Sequence, residues 1–431
     1  MKEYGMLREF IRFRERMKTK MNFKYRRMDI IKQRFFYKRA FLIYALFLAT
    51  ELFRFKAFDF VTIFMMLWGI GLLAYDVYDS KGKCLFKNVV LLSYMILGIL
   101  TCIINVNKDK NFSIYFITVI QLFVLYSFDM RNRFSNIKKE INKINFVFIG
   151  TTFILTLLGI IFYKFNLDLF PFSMTDYSGG EFFKGFYIIN KTAAMASYVS
   201  VVLSVICITT MKRVGIYNRI TAFYIINILL QGYAMLYTGS IGVWVSFLLF
   251  LVIAFMMMIP NKIIRRIISS LVALGIIFGG IATRNSEYLT ERQAVWQSGF
   301  SSIFVEYPMI GAGAANVPTI IENSLEQDLG SLEYRRVENS YLDVLYSNGI
   351  MGFVTFMCFL MNAMWMLYRR SFNSIMSEKD LRYVKLIFAF LVSILIISFV
   401  ESTLIYSMNL MSAVFWIYMG YGAFVVKRYR E

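Results

Sequence analysis

The run Arg335-Arg336-Val337-Glu338-Asn339 sets a carboxylate close behind two guanidinium groups. Cations in such a place can hold an anion, and the carboxylate can take a proton if a plain salt bridge does not occupy it. Ser340-x-x-Asp343 reads as a helix start and leaves Glu338 and Asn339 just outside it. Upstream, Thr290-Glu291-Arg292-Gln293 has the Thr-x-x-Gln form of a capping box, and the helix it opens can run to Tyr307, before Pro308. On that helix Leu289, Arg292, Trp296, Phe300 and Ile303 fall on one stripe. A guanidinium among apolar neighbours is costly unless it meets an anion or stacks on a ring. Anion binding by Arg292 and stacking on Trp296 both meet that need. Between the two runs, Gly311-Ala312-Gly313 is either a simple turn or a pair of close-approach positions that offer N–H groups to a phosphate.

These groups must be positioned by a chain of 431 residues that is 58% hydrophobic and only 17% charged, with mean hydropathy +0.58. Soluble proteins carry roughly 25% charge. The composition excludes a water-soluble core, disorder, coiled coil and collagen, and fits an all-α polytopic membrane protein. A helical span needs about 20 apolar residues. Twelve runs are read as spans, the first and ninth of them short: 40–54, 58–75, 88–106, 112–130, 145–163, 188–211, 219–237, 240–259, 267–282, 341–367, 385–402 and 407–426. The tenth is expected to begin as a short surface helix interrupted at Asn348-Gly349. All four prolines fall between spans, where no helical hydrogen bond is lost.

The net charge is +20, and its distribution follows membrane topology rather than a nucleic-acid partner. With the N-terminus inside, 36 of the 47 Lys and Arg lie on the inner side, 14 of them in residues 1–39. That basic segment is expected to lie on an anionic inner leaflet. Four stretches follow: 1–39, a basic cytoplasmic N-terminal segment; 40–282, spans one to nine; 283–340, an extracytoplasmic loop with an amphipathic helix; and 341–431, the last three spans and a short basic tail. Both termini are expected in the cytoplasm. A loop of this length in a compact architecture is usually functional or disordered, and this one is rich in aromatic and aliphatic residues. Glu51, Arg54, Lys191 and Glu401 fall at outer ends of spans, while span interiors offer only neutral groups such as Gln121, Asn227 and Gln231. An ion-coupled transporter usually places ionisable residues near the midplane. The outer mouth is therefore the expected site. The chain has no histidine, no Walker-type loop and no Asp-x-Asp pair, so neither an ATP-driven engine nor a metal-held nucleotide-sugar donor is expected.

At these residues the chain resembles the O-antigen polymerase/ligase superfamily. Arg292-Gln293-Ala294-Val295-Trp296 with Tyr307-Pro308-Met309-Ile310-Gly311-Ala312-Gly313 is similar to its Arg-x-x-x-Trp and Pro-x-x-Gly-x-Gly runs. Glu338-Asn339-Ser340-Tyr341-Leu342 with Gly349-Ile350-Met351-Gly352 is similar to its (His/Glu)-Asn-x-Tyr-Leu block. Asn190-Lys191-Thr192 and Thr238-Gly239-Ser240 match further blocks more weakly. Two positions depart from the pattern. Ile241 stands where an Arg often follows Thr-Gly-Ser, which leaves a cation to be supplied elsewhere, with Lys191 the candidate. Glu338 stands where ligases that load lipid A core typically have His, which leans toward a polymerase.

The resemblance implies a GT-C-like membrane glycosyltransferase in the bacterial cytoplasmic membrane. It would join polyprenyl-diphosphate-linked saccharides of capsule, exopolysaccharide or O-antigen, with inversion and without metal or other cofactor. Glu338 and Arg292 would be catalytic. Arg335, Arg336, Lys191, Trp296, Asn339, Tyr341, Gly311 and Gly313 would bind substrate. Donor and acceptor lipids, the bilayer and other assembly proteins would be its partners. A lipid-linked oligosaccharide flippase and an O-antigen ligase are the alternatives.

Overall fold

The computed structural model describes residues 34–54, 59–82, 88–127, 134–165, 173–176, 181–211, 218–283, 287–325, 337–372 and 375–428. Most of the basic segment 1–39 and all of Arg335-Arg336 lie outside them. The described chain is almost wholly helical. In order come α1 (Arg34–Leu48), α2 (Asp59–Asp79), α3 (Val89–Ile104), α4 (Lys108–Val119, running into a wider turn at Ile120–Leu125) and α5 (Phe134–Lys164). A two-residue hairpin, β1 (Thr175–Asp176) with β2 (Phe182–Phe183), precedes α6 (Asn190–Thr210). Next are α7 (Arg219–Tyr237), α8 (Ile241–Met258), α9 (Lys262–Thr283), α10 (Glu287–Gly299) and α11 (Val317–Ser324). The chain ends in α12 (Ser340–Arg370), α13 (Glu378–Ile397) and α14 (Leu410–Arg428).

Among the described residues seven helices, α2, α5 (from Lys139), α6, α7, α8, α12 and α14, are long and apolar enough to cross a membrane. The other five expected runs fall on helices that are short or open with charged residues or, for α9, partly on side chains outside the described residues. The helices α1 and α3 have only 15 and 16 residues. The regular part of α4 has 12, and α13 opens with Glu378, Lys379, Asp380 and Arg382.

Helices apolar all round belong in the middle of a bundle. Such a helix is α14, with Trp416, Tyr418 and Tyr421 buried and the Trp416 indole N–H donated to Leu404 O (2.7 Å). Lipid-like outer faces persist elsewhere, as at Leu229 and Phe255. Neutral polar groups inside the bundle bond to one another. Asn227 Nδ2 reaches Ser200 Oγ (3.0 Å) and Ser204 Oγ (2.9 Å), and Thr156 donates to Gln231 (3.1 Å). This satisfies polar groups where water is excluded.

Two sets of contacts mark the opposite ends of the bundle. At one end Arg34 at the start of α1 pairs with Asp76 at the end of α2, Lys38 donates to Ser127 O (2.5 Å), and Arg39 lies 3.3 Å from Glu140. At the other, Glu51 after α1 pairs with Lys184 of the hairpin segment at 2.5 Å, and Ile188 N donates to Ala49 O (3.0 Å). Glu51 is thereby accounted for structurally. The side chain of Arg54 lies outside the described residues.

The interruption expected in α12 is present. Gly349 has φ 65° and ψ −172°, which divides the helix into a short arm, 340–348, and a long one. Glycine reaches this region without a Cβ penalty. The 308–316 loop closes on the break: Ala312 N donates to Tyr346 O (2.9 Å), Gly313 N to Ser347 O (3.0 Å) and Ile350 N to Pro308 O (2.8 Å). A Cβ on Gly311 would lie 2.5 Å from Asn348 N, and one on Gly349 2.3 Å from the Met309 carbonyl carbon.

Candidate functional site

Glu338 sits immediately before the cap of α12. Asn339 is that cap, and its side-chain oxygen accepts from Tyr341 N (3.0 Å) and Leu342 N (3.1 Å). The expected Ser340 cap is thus displaced by one residue. Ser340 instead donates to Glu401 O (2.9 Å) and accepts from Thr403 N (2.9 Å), tying the start of α12 to the 398–409 connection. Glu338 itself has φ +48°, a left-handed backbone that is uncommon outside glycine. Such conformations persist where surrounding contacts over-determine them, often at functional sites. The Trp296 indole N–H, donated to Val337 O (2.9 Å), is one of those contacts.

Around Glu338 stand three other charged groups. Arg292, on α10 and buried, turns one guanidinium nitrogen to Glu338 Oε2 and the other to Val400 O; Glu401 Oε1 lies 3.7 Å away. Lys191, in the first turn of α6, reaches Glu401 Oε2 at 2.5 Å and Glu338 Oε1 at 3.4 Å. Two cations and two carboxylates therefore interleave in one cluster. Glu401, at 8% side-chain exposure, is its floor; Glu338, at 43%, is its open member. Burial holds the Glu401 carboxyl above the usual carboxylate range, opposed by Lys191, reinforced by Glu338 and opposed again by Arg292.

Lys191 is held by the chain around it. Asn190 donates its side-chain amide to Thr238 O (2.9 Å), and its backbone N–H goes to Asp176 (3.1 Å). Gly239 has φ +64°, and a Cβ there would fall 2.4 Å from the Phe182 ring. The Asn190-Lys191-Thr192 and Thr238-Gly239-Ser240 runs are thus neighbours in space. Ile241, where a cation was expected, is 78% exposed, and Lys191 is the cation that enters the cluster.

Of the expected site residues, the structure brings together Lys191, Arg292 and Glu338, and adds Glu401. Trp296, Asn339 and Tyr341 each make hydrogen bonds that hold the chain around the cluster. The first two fix the backbone on either side of Glu338, and the Tyr341 hydroxyl donates to Leu395 O (2.8 Å). Gly311 and Gly313 commit their N–H groups to Tyr307 O and Ser347 O, so they brace the α12 break instead of offering donors to a phosphate. The α10 stripe also differs from expectation. The helix begins at Glu287, and a wider turn at Phe300–Phe304 shifts its phase. Val295 and Ile303 are buried while Phe300 is 51% exposed. Among the described residues no group of three or more metal-ligating side chains occurs.

Residues 226–357 match the family described as O-antigen ligase. The match runs from α7 into the long arm of α12 and includes Arg292 and Glu338. It supports the O-antigen polymerase/ligase superfamily resemblance and, with the apolar helices, a membrane role in polysaccharide assembly. It points to a glycosyl-transfer type of enzyme acting on lipid-linked saccharides. A search of curated proteins finds no match.

Proposed function

We propose that this protein polymerises polyprenyl-diphosphate-linked oligosaccharide repeat units at the outer face of the bacterial cytoplasmic membrane, building capsule, exopolysaccharide or O-antigen. The chain would cross the membrane twelve times with both termini inside, as the Lys/Arg distribution requires. The charged cluster would then lie at the outer mouth. The observation that carries the reading is the pairing of Glu338 with Arg292 beside Lys191, at a half-open position on a strained backbone.

Without substrate the cluster is self-neutralised. A lipid diphosphate arriving at Arg292 and Lys191 competes with the two carboxylates for the same donors. An Arg fork suits it, because two parallel N–H groups meet two phosphate oxygens. Displacement of Glu338 from Arg292 frees its carboxylate at the moment the donor is bound. Glu338 then takes the proton from the acceptor hydroxyl, whose oxygen attacks the anomeric carbon. The bond from that carbon to the diphosphate oxygen breaks, and polyprenyl diphosphate leaves with the electron pair, its charge held by Arg292 and Lys191. Attack opposite the leaving group inverts the anomeric centre. Glu401, buried below, keeps both cations in place.

The test is the lipid-linked material in cells lacking the protein. A polymerase deficit leaves single repeat units on lipid, facing outward. Units trapped facing inward would identify a flippase and refute the proposal. Full-length polymer left on lipid but not transferred would identify a ligase.

A further inference from the structure

We infer that the cavity beside the short arm of α12 is a saccharide subsite that holds sugar rings of a lipid-linked substrate while the charged cluster holds the diphosphate. The inference rests on the proposed function. The cavity has a volume of about 470 Å³, within the range of small-molecule sites. Asp343 on the short arm, Tyr406 of the 398–409 connection, and Asp109 and Ser113 on α4 supply polar groups; Ile114 and Val317 supply apolar wall. Carboxyls and hydroxyls over apolar surface suit a ligand with many hydroxyl donors and exposed C–H faces. Among the described lining residues Lys110 is the single cation, against two acidic residues, so a diphosphate is disfavoured there. A lipid tail is disfavoured by the polar groups.

Two of the wall residues are close along the chain to the cluster. Asp343, in the first turn of α12, follows Glu338 by five residues, at most about 18 Å of chain. Tyr406 follows Glu401 by five residues, at most about 18 Å of extended chain. A short oligosaccharide therefore spans from one to the other. Its walls are also fixed before any ligand arrives. Tyr406 has φ +66°, and its hydroxyl pairs with Tyr94 OH (3.0 Å) and donates to Asn348, beside the α12 break. Asp343 is 5% exposed.

The experiment uses the full chain in lipid nanodiscs and two probes: the strain's own lipid-linked repeat unit, and polyprenyl diphosphate without sugar. The Kd of the sugar-free lipid divided by that of the repeat unit measures the sugar's contribution. Ser113→Trp adds bulk at an exposed helical position on the cavity wall, and Asp343→Asn removes a charged acceptor. Each should reduce the ratio by about tenfold or more, the usual worth of a hydrogen bond to a charged group. Sugar-free lipid should bind each variant within about twofold of the unsubstituted protein, which also reports correct folding. An unchanged ratio in both variants overturns the subsite and leaves the proposed function standing. If neither probe binds the unsubstituted protein, the proposed function itself fails. Added lipid-free oligosaccharide separates the sources: displacement of bound repeat unit assigns the cavity to the donor sugar, and additional binding weakened by Ser113→Trp assigns it to the acceptor.

Discussion

Lys191 Nζ lies 2.5 Å from Glu401 Oε2, joining the first turn of α6 to the connection that follows α13. The pair forms the buried half of the cluster, and its carboxyl is the one that burial raises. In the folded protein Glu401 holds its proton to higher pH than in the unfolded chain. Its contribution to stability therefore falls as pH rises from the usual carboxylate value through the raised one. As pH falls through the same window Glu401 is neutralised, and the cluster of Lys191, Arg292, Glu338 and Glu401 gains one positive charge. Binding of a sugar-linked lipid diphosphate should tighten accordingly. Glu401→Gln should bind it more tightly above that window and flatten that part of the profile. A variant with the unsubstituted protein's pH dependence would remove Glu401 from the anion site.

Arg292 separates charge from geometry. Its guanidinium divides between Val400 O and the two carboxylates. A lysine has no planar fork with which to do this. Arg292→Lys should lose most polymer, by about tenfold or more, and Arg292→Ala at least as much. Trp296→Phe, which removes the donor to Val337 O, should act more mildly by loosening Glu338. Polymer length on a gel, normalised to protein abundance, decides. Near-normal polymer from Arg292→Ala would exclude Arg292 from catalysis.

The helical architecture, the break at Gly349 and the need of Arg292 for a partner are legible in the sequence because each rests on local signals: apolar runs, an Asn-Gly step, and a costly cation among apolar neighbours. That the partner is Glu338 is seen only in the fold. The role of Glu401 is not. Nothing within 398–409 distinguishes it from a carboxylate at a membrane interface; only the fold carries it to Lys191. The Gly-x-Gly run is open to two readings in the sequence, a turn or a phosphate cradle. Gly311 N–H goes to Tyr307 O within its own turn, and the acceptor of Gly313, Ser347 O, is met only where the loop closes on α12. The phase of the α10 stripe was lost to the wider turn at Phe300–Phe304, which ordinary helical spacing does not anticipate.

The α12 break offers a stability test independent of chemistry. Gly349 combines positive φ with backbone atoms where a Cβ would fall. Gly349→Ala should cost about 2 kcal/mol or more and lower the thermal midpoint. Gly71, on α2 with open space around it, is the control. Gly71→Ala should be neutral or stabilising by up to about 1 kcal/mol. Equal midpoints for the two variants would show that the break is not held by the 308–316 loop.

The proposed orientation is tested by labelling. Asn323, in α11, and Glu378, at the start of α13, are both exposed. On a background without the native cysteines, Asn323→Cys should react with an impermeant thiol reagent on intact cells, or on spheroplasts where an outer membrane intervenes. Glu378→Cys should react only after permeabilisation. The reverse pattern would invert the topology and place the cluster on the cytoplasmic side.

Glu338 is the decisive residue. Its side chain is the most open of the cluster, and Asn339 and Trp296 fix the backbone to either side. Glu338→Gln keeps size and hydrogen-bonding reach but cannot take the acceptor's proton. Polymer should fall by about 10²-fold or more, the usual contribution of a general base. Lipid-linked donor should still bind, and more tightly, because a competing carboxylate has left Arg292. That opposite movement of binding and turnover separates a base from a residue that only supports the fold, whose loss would weaken both. Glu338→Asp should retain partial activity, since the base remains but is drawn back by one methylene. Glu338→His is informative because the family pattern admits His at that position. Normal-length polymer from Glu338→Gln at unaltered abundance would transfer the role of base to Glu401.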